Sequence, residues 1–390
     1  MTTFEVPAIV EDALLAATRR RLPPELCGGP ALTAAVVDRS RRYTSERERL
    51  GTPGGGRASI ADLAARALFF TVADAAKVHV PLAELAGRAL PAPAGFLSSP
   101  TLGVLDAGAG CGAMTLGLCT FLAARAARSP GPPPVVPRVH ATLVDRDGDA
   151  LRIAADAIAA VARALALDVT LVTITADVGD PLPAGPFDLI LAGSVLNELA
   201  VPADLARALV AVLAPSGVAI VVEPALRETT RALHQVRDAL VAAGTAAVLA
   251  PCTRRDAPCP ALADERDWCH DHRPLALPPR ARQVARVTGL RDGDMKLAYL
   301  VLCRPEAAPP PVATWRVVSD PHPSKGKLEL ILCGSPGWVP ARLLKRHRSV
   351  DNRALERARR GDVLTLEPPP TPNAPDVTNV TRVSHHTLPG

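Results

Sequence analysis

Aromatic residues are scarce: six Phe, three Trp and two Tyr stand among 390 residues. A protein that stacks single-stranded bases on aromatic platforms needs more of them, so aliphatic residues and alanine must build the core. Long apolar runs are missing too. The nearest, residues 208–222, is broken by Pro215, Ser216 and Gly217 and falls short of the roughly 18 residues a membrane helix needs. Glu5, Glu11 and Asp12 precede the Arg19-Arg20-Arg21 cluster, which suits neither a secretory signal nor an acid-poor transit peptide, so the expected setting is the cytoplasm. Eight cysteines in a chain this long are too few for a disulfide scaffold. In a reducing compartment, clustered thiols point to metal instead.

Proline is abundant, with 40 residues, roughly twice the usual share of about 5%. Hydrophobic residues make up 48% of the chain, enough for a sizeable core, which excludes wholesale disorder. The net charge of +5 is local. Arg342, Lys345, Arg346, Arg348, Arg353, Arg357, Arg359 and Arg360 face only Asp351 and Glu356 in their segment, so this stretch accounts for the whole excess. Such a segment is either a phosphate-binding surface or a solvated face.

Residues 1–95 read as helical, with apolar spacing over 8–21 and 59–76 and a flexible Gly54-Gly55-Gly56 break between. From Thr101 strands and helices alternate, the pattern of a doubly wound parallel sheet. Expected strands are 102–105, 139–144, 169–174, 189–191, 218–222, 246–249 and 296–302, with helices at 113–127, 147–166, 202–213 and 228–243. This α/β unit spans 96–304. Residues 250–280, rich in Pro, Cys and His, read as an insertion outside the sheet, and 304–312 as a linker. A small basic β domain follows at 313–366, then a disordered tail at 367–390.

The strongest motif is Asp106-Ala107-Gly108-Ala109-Gly110-Cys111-Gly112, leading directly into a helical run. Glycines at a strand-to-helix turn bring backbone close to a ligand at the helix N-terminus. The motif departs from the dinucleotide G-x-G-x-x-G and resembles the D-x-G-x-G-x-G turn of class I S-adenosylmethionine-dependent methyltransferases, a Rossmann-like fold. That resemblance implies a cofactor-binding set of Asp106, Gly108, Gly110, Gly112, Asp145 and Asp177. Asp106 is expected near the cofactor's ammonium, Asp145 at its ribose and Asp177 at its adenine. After the fourth strand, Ser194-Val195-Leu196-Asn197-Glu198 lacks the prolines and aromatic of the usual amino-methylation motif. No cysteine nucleophile stands there either, leaving Asn197 and Glu198 as catalytic candidates beside a plain helix-turn role.

Within the insertion, Cys252, Cys259 and Cys269 lie in 18 residues, and His270, His272, Cys303 and Cys333 are candidates for a fourth ligand. Spacing leaves tetrahedral zinc and a [4Fe-4S] cluster both open, and the proline-flanked cysteines without C-x2-C pairs favour the cluster. Ala250-Pro251-Cys252, Pro258-Cys259-Pro260, Trp268-Cys269-His270 and Leu332-Cys333-Gly334-Ser335-Pro336-Gly337 resemble a methyltransferase-like assembly-factor family of the small ribosomal subunit, over roughly residues 95–365. The resemblance implies a [4Fe-4S] cluster on Cys252, Cys259, Cys269 and Cys333. With Cys333 in the β domain, that cluster would staple domain to core. In this sequence Thr253-Arg254-Arg255-Asp256 replaces the family's Pro-His after the first cysteine.

Three functions are thereby open. One is a monomeric, cofactor-binding assembly or translation factor that docks on small-subunit rRNA through the basic segment. Another is an active RNA methyltransferase on that rRNA. The third is a small-molecule methyltransferase with structural zinc, which leaves the basic segment unexplained.

Overall fold

The computed structural model describes residues 3–44, 57–87, 92–93, 96–128 and 136–386. The Gly54-Gly55-Gly56 break lies outside them. The chain begins with β1 (Phe4–Glu5), α1 (Ala8–Arg19) and α2 (Gly29–Thr44). Next, α3 (Arg57–Ala65) runs through a π turn at Arg66–Phe70 into α4 (Thr71–Asp74), and α5 (His79–Ala86) follows. In α1, Val10, Ala13, Leu14 and Ala17 recur at helical spacing and are buried.

The α/β region then runs β2 (Thr101–Ala107), α6 (Ala113–Arg128), β3 (Arg138–Asp145), α7 (Gly148–Ala164), β4 (Val169–Thr175), β5 (Phe187–Gly193), α8 (Pro202–Ala211) and β6 (Leu213–Pro224). It continues with α9 (Arg227–Ala242), β7 (Ala247–Ala250), β8 (Asp271–Ala276), α10 (Pro279–Thr288) and β9 (Asp294–Cys303). Strands pair in the order β4-β3-β2-β5-β6-β9, parallel up to β6, with β9 antiparallel. This is the expected doubly wound α/β sheet. Its order reverses between β2 and β5, so a crevice opens at the carboxyl ends of those strands. The N-terminal helices are not a separate layer: Val10, Phe69, Leu118 and Ile158 share one buried cluster, and Arg20 and Arg21 ion-pair with Asp156 of α7.

One expectation is corrected here. Residues 271–276, placed in an extra-sheet insertion, join the sheet as β8, which pairs with the lower half of β9 while β7 pairs with its upper half. The strand escapes a hydropathy reading because its buried alternate positions are Asp271, Arg273 and Leu275. Arg273 satisfies its charge on Asp271 at 3.0 Å and on Asp362 at 2.7 Å. β1 extends the same edge by parallel pairing of Phe4 with Leu275.

A second sheet follows: β10 (Trp315–Val317), β11 (His322–Ser324), β12 (Lys327–Gly334) and β13 (Gly337–Leu344), then α11 (Ala354–Arg357), β14 (Val363–Glu367), β15 (Asp376–Val377) and β16 (Arg382–His386). It closes around its own core of Val317, Leu330, Leu332, Val339, Leu343 and Leu364. The expected disordered tail is therefore corrected through His386. β16 pairs antiparallel with β14, β15 pairs with β13, and Val377 and Val383 are buried in the same core. Pro368-Pro369-Pro370 suggested disorder by composition, yet two well-placed valines are enough to seat short edge strands.

The two sheets are locked by charge. Arg316 of β10 is buried and bidentate to buried Glu84 of α5, at 2.5 and 3.0 Å. It also donates to the carbonyls of Pro251 at 3.0 Å and Gly361 at 2.6 Å.

Candidate functional site

A cavity of about 1110 Å³ lies at the crevice, and Gly108, Gly110, Asp145, Asp177 and Glu198 are on its wall. The turn after β2 is pinned because Gly108 and Ala109 both donate to Val144 O, at 2.8 and 3.0 Å. Gly108 has φ +70° and Gly110 φ +51°, a left-handed backbone that glycine adopts at little cost. Asp145, at the end of β3, accepts Gly110 N–H on Oδ2 and Asp147 N–H on Oδ1, both at 2.8 Å. Each oxygen keeps a lone pair for a ligand hydroxyl. Asp177 accepts Gly179 N–H at 2.8 Å on the adjacent wall.

Other expected residues stand elsewhere. Gly112 is off the wall: a Cβ there would meet Ala154 and Ile158 of α7, so this glycine serves helix packing. Asp106 lies behind the turn, buried, where it accepts Thr115 Oγ1–H at 2.6 Å and Thr115 N–H at 3.3 Å. Burial pushes its pKa up to about 7 against those hydrogen bonds. Its side chain anchors the helix that carries the turn. Asn197 is likewise off this wall and donates to Glu223 Oε2 at 2.6 Å, while Leu196 N–H binds Glu223 Oε1 at 2.9 Å. Of the two catalytic candidates only Glu198 reaches the cavity, and burial raises its pKa although Arg39 and Arg146 oppose the shift.

Glu223, at the end of β6, was not singled out in the sequence. Burial pushes its pKa up to about 7 despite hydrogen bonds from Asn197 and Leu196. An unfolded glutamate ionises near 4.3, so between about pH 4 and 7 the native carboxyl holds a proton that the unfolded one has lost. Stability therefore falls as pH rises through that window. Glu223→Gln removes the ionisation, and its stability relative to wild type should improve on going from pH 5 to pH 8 by on the order of 3 kcal/mol. Urea unfolding at the two pH values measures this, and an unchanged difference would mean that Glu223 is solvated.

The opposite wall also went unread. Arg39 and Tyr43 of α2, and Arg66 and Phe70 of the π turn, line the cavity. Arg39 donates to Tyr43 Oη at 2.8 Å with its guanidinium 4.5 Å from that ring's centroid. Arg66 ion-pairs with Asp147, which caps α7 by accepting Asp149 and Ala150 N–H at 3.0 Å. No motif announces these residues, because only tertiary packing carries α2 to the crevice.

Three of the four cysteines stand in the loop between β7 and β8, and the fourth is in the second sheet. Cys252 and Cys259 precede β8, Cys269 ends the loop, and Cys333 lies in β12 directly across from Arg316. Burial raises the Cys333 pKa to about 12, with the charges of Cys252 and Cys259 adding to it. Burial also raises Cys259 and Cys269, each further raised by neighbouring thiols of the set. Thr253 Oγ1 donates to Cys333 O at 2.8 Å and Arg254 to Ser335 O at 2.9 Å. Among the described residues, no group of three or more His, Cys, Asp or Glu side chains is placed to hold a metal ion. His272 pairs with Asp294 at 2.8 Å, and Cys27, Cys111, Cys119 and Cys303 are buried.

Within the basic segment, Arg342 is tied to Asp376 at 2.5 Å, Arg348 to Glu356 at 2.8 Å, and Arg360 to Val318 O and Asp320. Arg359 donates to Ala358 O at 2.8 Å. Lys345, Arg346, Arg353 and Arg357 are exposed. No helix among the described residues is long and apolar enough to cross a membrane.

Residues 138–365 match the sequence profile of a family described as mitochondrial small ribosomal subunit Rsm22. Among solved structures, magnesium protoporphyrin IX methyltransferase (ChlM) of Synechocystis PCC 6803 with bound SAM is similar at 13% identity, covering 69% of this chain and 96% of that one with a TM-score of 0.34. YjhP of E. coli is similar at 14% identity over 60% of this chain and 98% of its own, TM-score 0.32. The plantazolicin methyltransferase BpumL in complex with SAH gives 11% identity, 76% and 96%, and a TM-score of 0.30. No curated protein matches the chain.

Proposed function

The chain belongs to the Rsm22 family of the mitochondrial small ribosomal subunit, and on that premise we propose that it is an S-adenosylmethionine-binding factor that acts on the small subunit by contact with its rRNA. The observation that carries this reading is the glycine turn seated against Asp145 on the cavity wall. Gly108 and Gly110 bring backbone N–H groups close to a ligand, Asp145 accepts two adjacent hydroxyls, and Asp177 accepts an amino group. Binding is favoured over turnover, because Asn197 is spent on Glu223 and the exit of β5 offers no aromatic wall. Calorimetry with S-adenosylmethionine tests the cofactor claim, and labelled methyl transfer to immature small-subunit RNA separates factor from enzyme. A cytoplasmic setting rests on composition alone, and the family description is mitochondrial.

For RNA, the exposed Lys345, Arg346, Arg353 and Arg357 are the proposed phosphate-binding side chains. Neutralising all four to Gln should weaken small-subunit rRNA binding and lower the slope of log K against log salt by roughly 0.7–0.9 for each phosphate that is no longer neutralised. Filter binding across salt concentrations reads this, and an unchanged slope makes the segment a solvated face.

The four thiols fit an iron–sulfur centre by donor chemistry. They are soft ligands near one another, and the buried guanidinium of Arg237 lies beside Cys252 and Cys259 with an unpartnered Nε. Cys252, Cys259, Cys269 and Cys333 would hold a [4Fe-4S] cluster, and when bound it supplies a covalent tie between the loop and the second sheet. Anaerobic purification with metal and sulfide analysis tests it. One equivalent of zinc without iron overturns the assignment in favour of a structural zinc.

A further inference from the structure

One face of α9 is turned toward the cysteine loop. Residues 231, 234, 237 and 238 fall within about a third of the helix circumference at 3.6 residues per turn. Arg231 Nη1 donates to the carbonyls of Ala261, Asp264 and Asp267 at 2.8, 2.7 and 2.6 Å. His234 Nε2 accepts Cys269 N–H at 3.2 Å. Asp238 accepts Cys259 N–H on both oxygens at 3.0 Å.

Arg237 is the deepest of the four, 1% exposed. It donates to the carbonyls of Arg254 at 2.6 Å, Arg255 at 3.1 Å and Ala257 at 2.6 Å, and pairs with Asp238 at 2.6 Å. Its guanidinium also lies beside the Cys252 thiol, and its Nε has no hydrogen-bond partner. Six carbonyls and two amides of residues 254–269 are thus held by one helix. A loop whose backbone is satisfied in this way needs no metal to take its shape. A fully buried guanidinium that is left one donor short calls for a further anion beside it.

We infer that α9 assembles the cysteine loop before any metal arrives, and that Arg237 is the positioning residue whose buried cation offsets the negative charge of the Cys252 and Cys259 thiolates. The second half rests on the iron–sulfur reading above. Potentials of thiolate-held clusters respond to net charge and to hydrogen bonds on sulfur, so removing this cation makes it harder for the centre to take up an electron.

The test uses the full chain, purified anaerobically, as wild type, Arg237→Gln, Arg237→Lys and Asp238→Asn, with a thermal melt of each to confirm folding. Iron per chain, a one-electron redox titration with dithionite, and hydrogen exchange over residues 252–269 after chelation are measured. In chelated wild type the loop should exchange at least tenfold more slowly than in Asp238→Asn. Arg237→Gln should lose more than half its iron and titrate at more negative potential. Arg237→Lys should keep the wild-type potential while its loop exchanges faster, which separates charge from scaffolding and serves if the Gln variant misfolds. Equal iron and equal potential in folded wild type and Arg237→Gln overturn the role of Arg237. Iron absent from wild type overturns the metal reading and the charge role with it. Unprotected exchange in the chelated wild type overturns the scaffold.

Discussion

Arg316→Leu should destabilise the protein by about 3–5 kcal/mol, the range for breaking one partner of a buried ion pair. Glu84 is almost completely buried, and losing Arg316 leaves its carboxylate without the two bonds at 2.5 and 3.0 Å that now offset its desolvation. The same substitution orphans the carbonyls of Pro251 and Gly361, one beside the first cysteine and one in the turn before β14. Urea unfolding gives the magnitude, and limited proteolysis across residues 304–314 should show a linker newly open to cleavage. The paired variant Glu84→Leu with Arg316→Met should lose much less than the two single changes summed, because no uncompensated charge remains. A single-variant loss under about 1 kcal/mol would mean that the pair is solvated.

Gly108→Ala and Gly110→Ala should differ in kind. At Gly108 a Cβ would lie 2.6 Å from Val195 Cγ2, in a backbone of φ +70°. The left-handed conformation costs an L-residue about 1–2 kcal/mol, and overpacking adds about 1–3 kcal/mol. Gly108→Ala should therefore lower stability by roughly 2–5 kcal/mol and abolish S-adenosylmethionine binding with it. At Gly110, with φ +51°, a Cβ meets nothing within 4 Å. Since Gly110 lines the cavity, the methyl would occupy ligand space. Stability should drop by only about 1–2 kcal/mol, while cofactor affinity falls at least tenfold. Thermal melts and calorimetry on both variants check this. Normal binding by Gly110→Ala would exclude the turn as the cofactor's seat.

The sheet was legible because β2, β3, β5 and β6 are aliphatic strands followed by well-patterned helices, a local signal. Gly108, Gly110, Asp145 and Asp177 were legible as residues of the cavity wall, because turn glycines and strand-end carboxylates mark themselves in sequence. What escaped depends on distant partners. β8 buries Asp271 and Arg273, which read as loop until Asp362 is brought beside them. Tyr43, Arg39 and Arg66 face the crevice only once α1 and α2 pack on the sheet. Asp106 shows the converse failure: the motif identified the residue, but its carboxylate turns to Thr115 behind the turn. The basic segment was located by charge alone, and hydropathy could not foresee that Arg342 and Arg360 are committed to Asp376 and Val318.

The pairing of Phe4 with Leu275 has a consequence for biosynthesis. A strand at the very start of the described chain finds its hydrogen-bonding partner only about 270 residues later. At about 5–20 residues per second, the ribosome takes on the order of tens of seconds to deliver β8. Until then Phe4 and its open strand edge are exposed on the nascent chain. Completion of the first sheet is therefore a late event in synthesis.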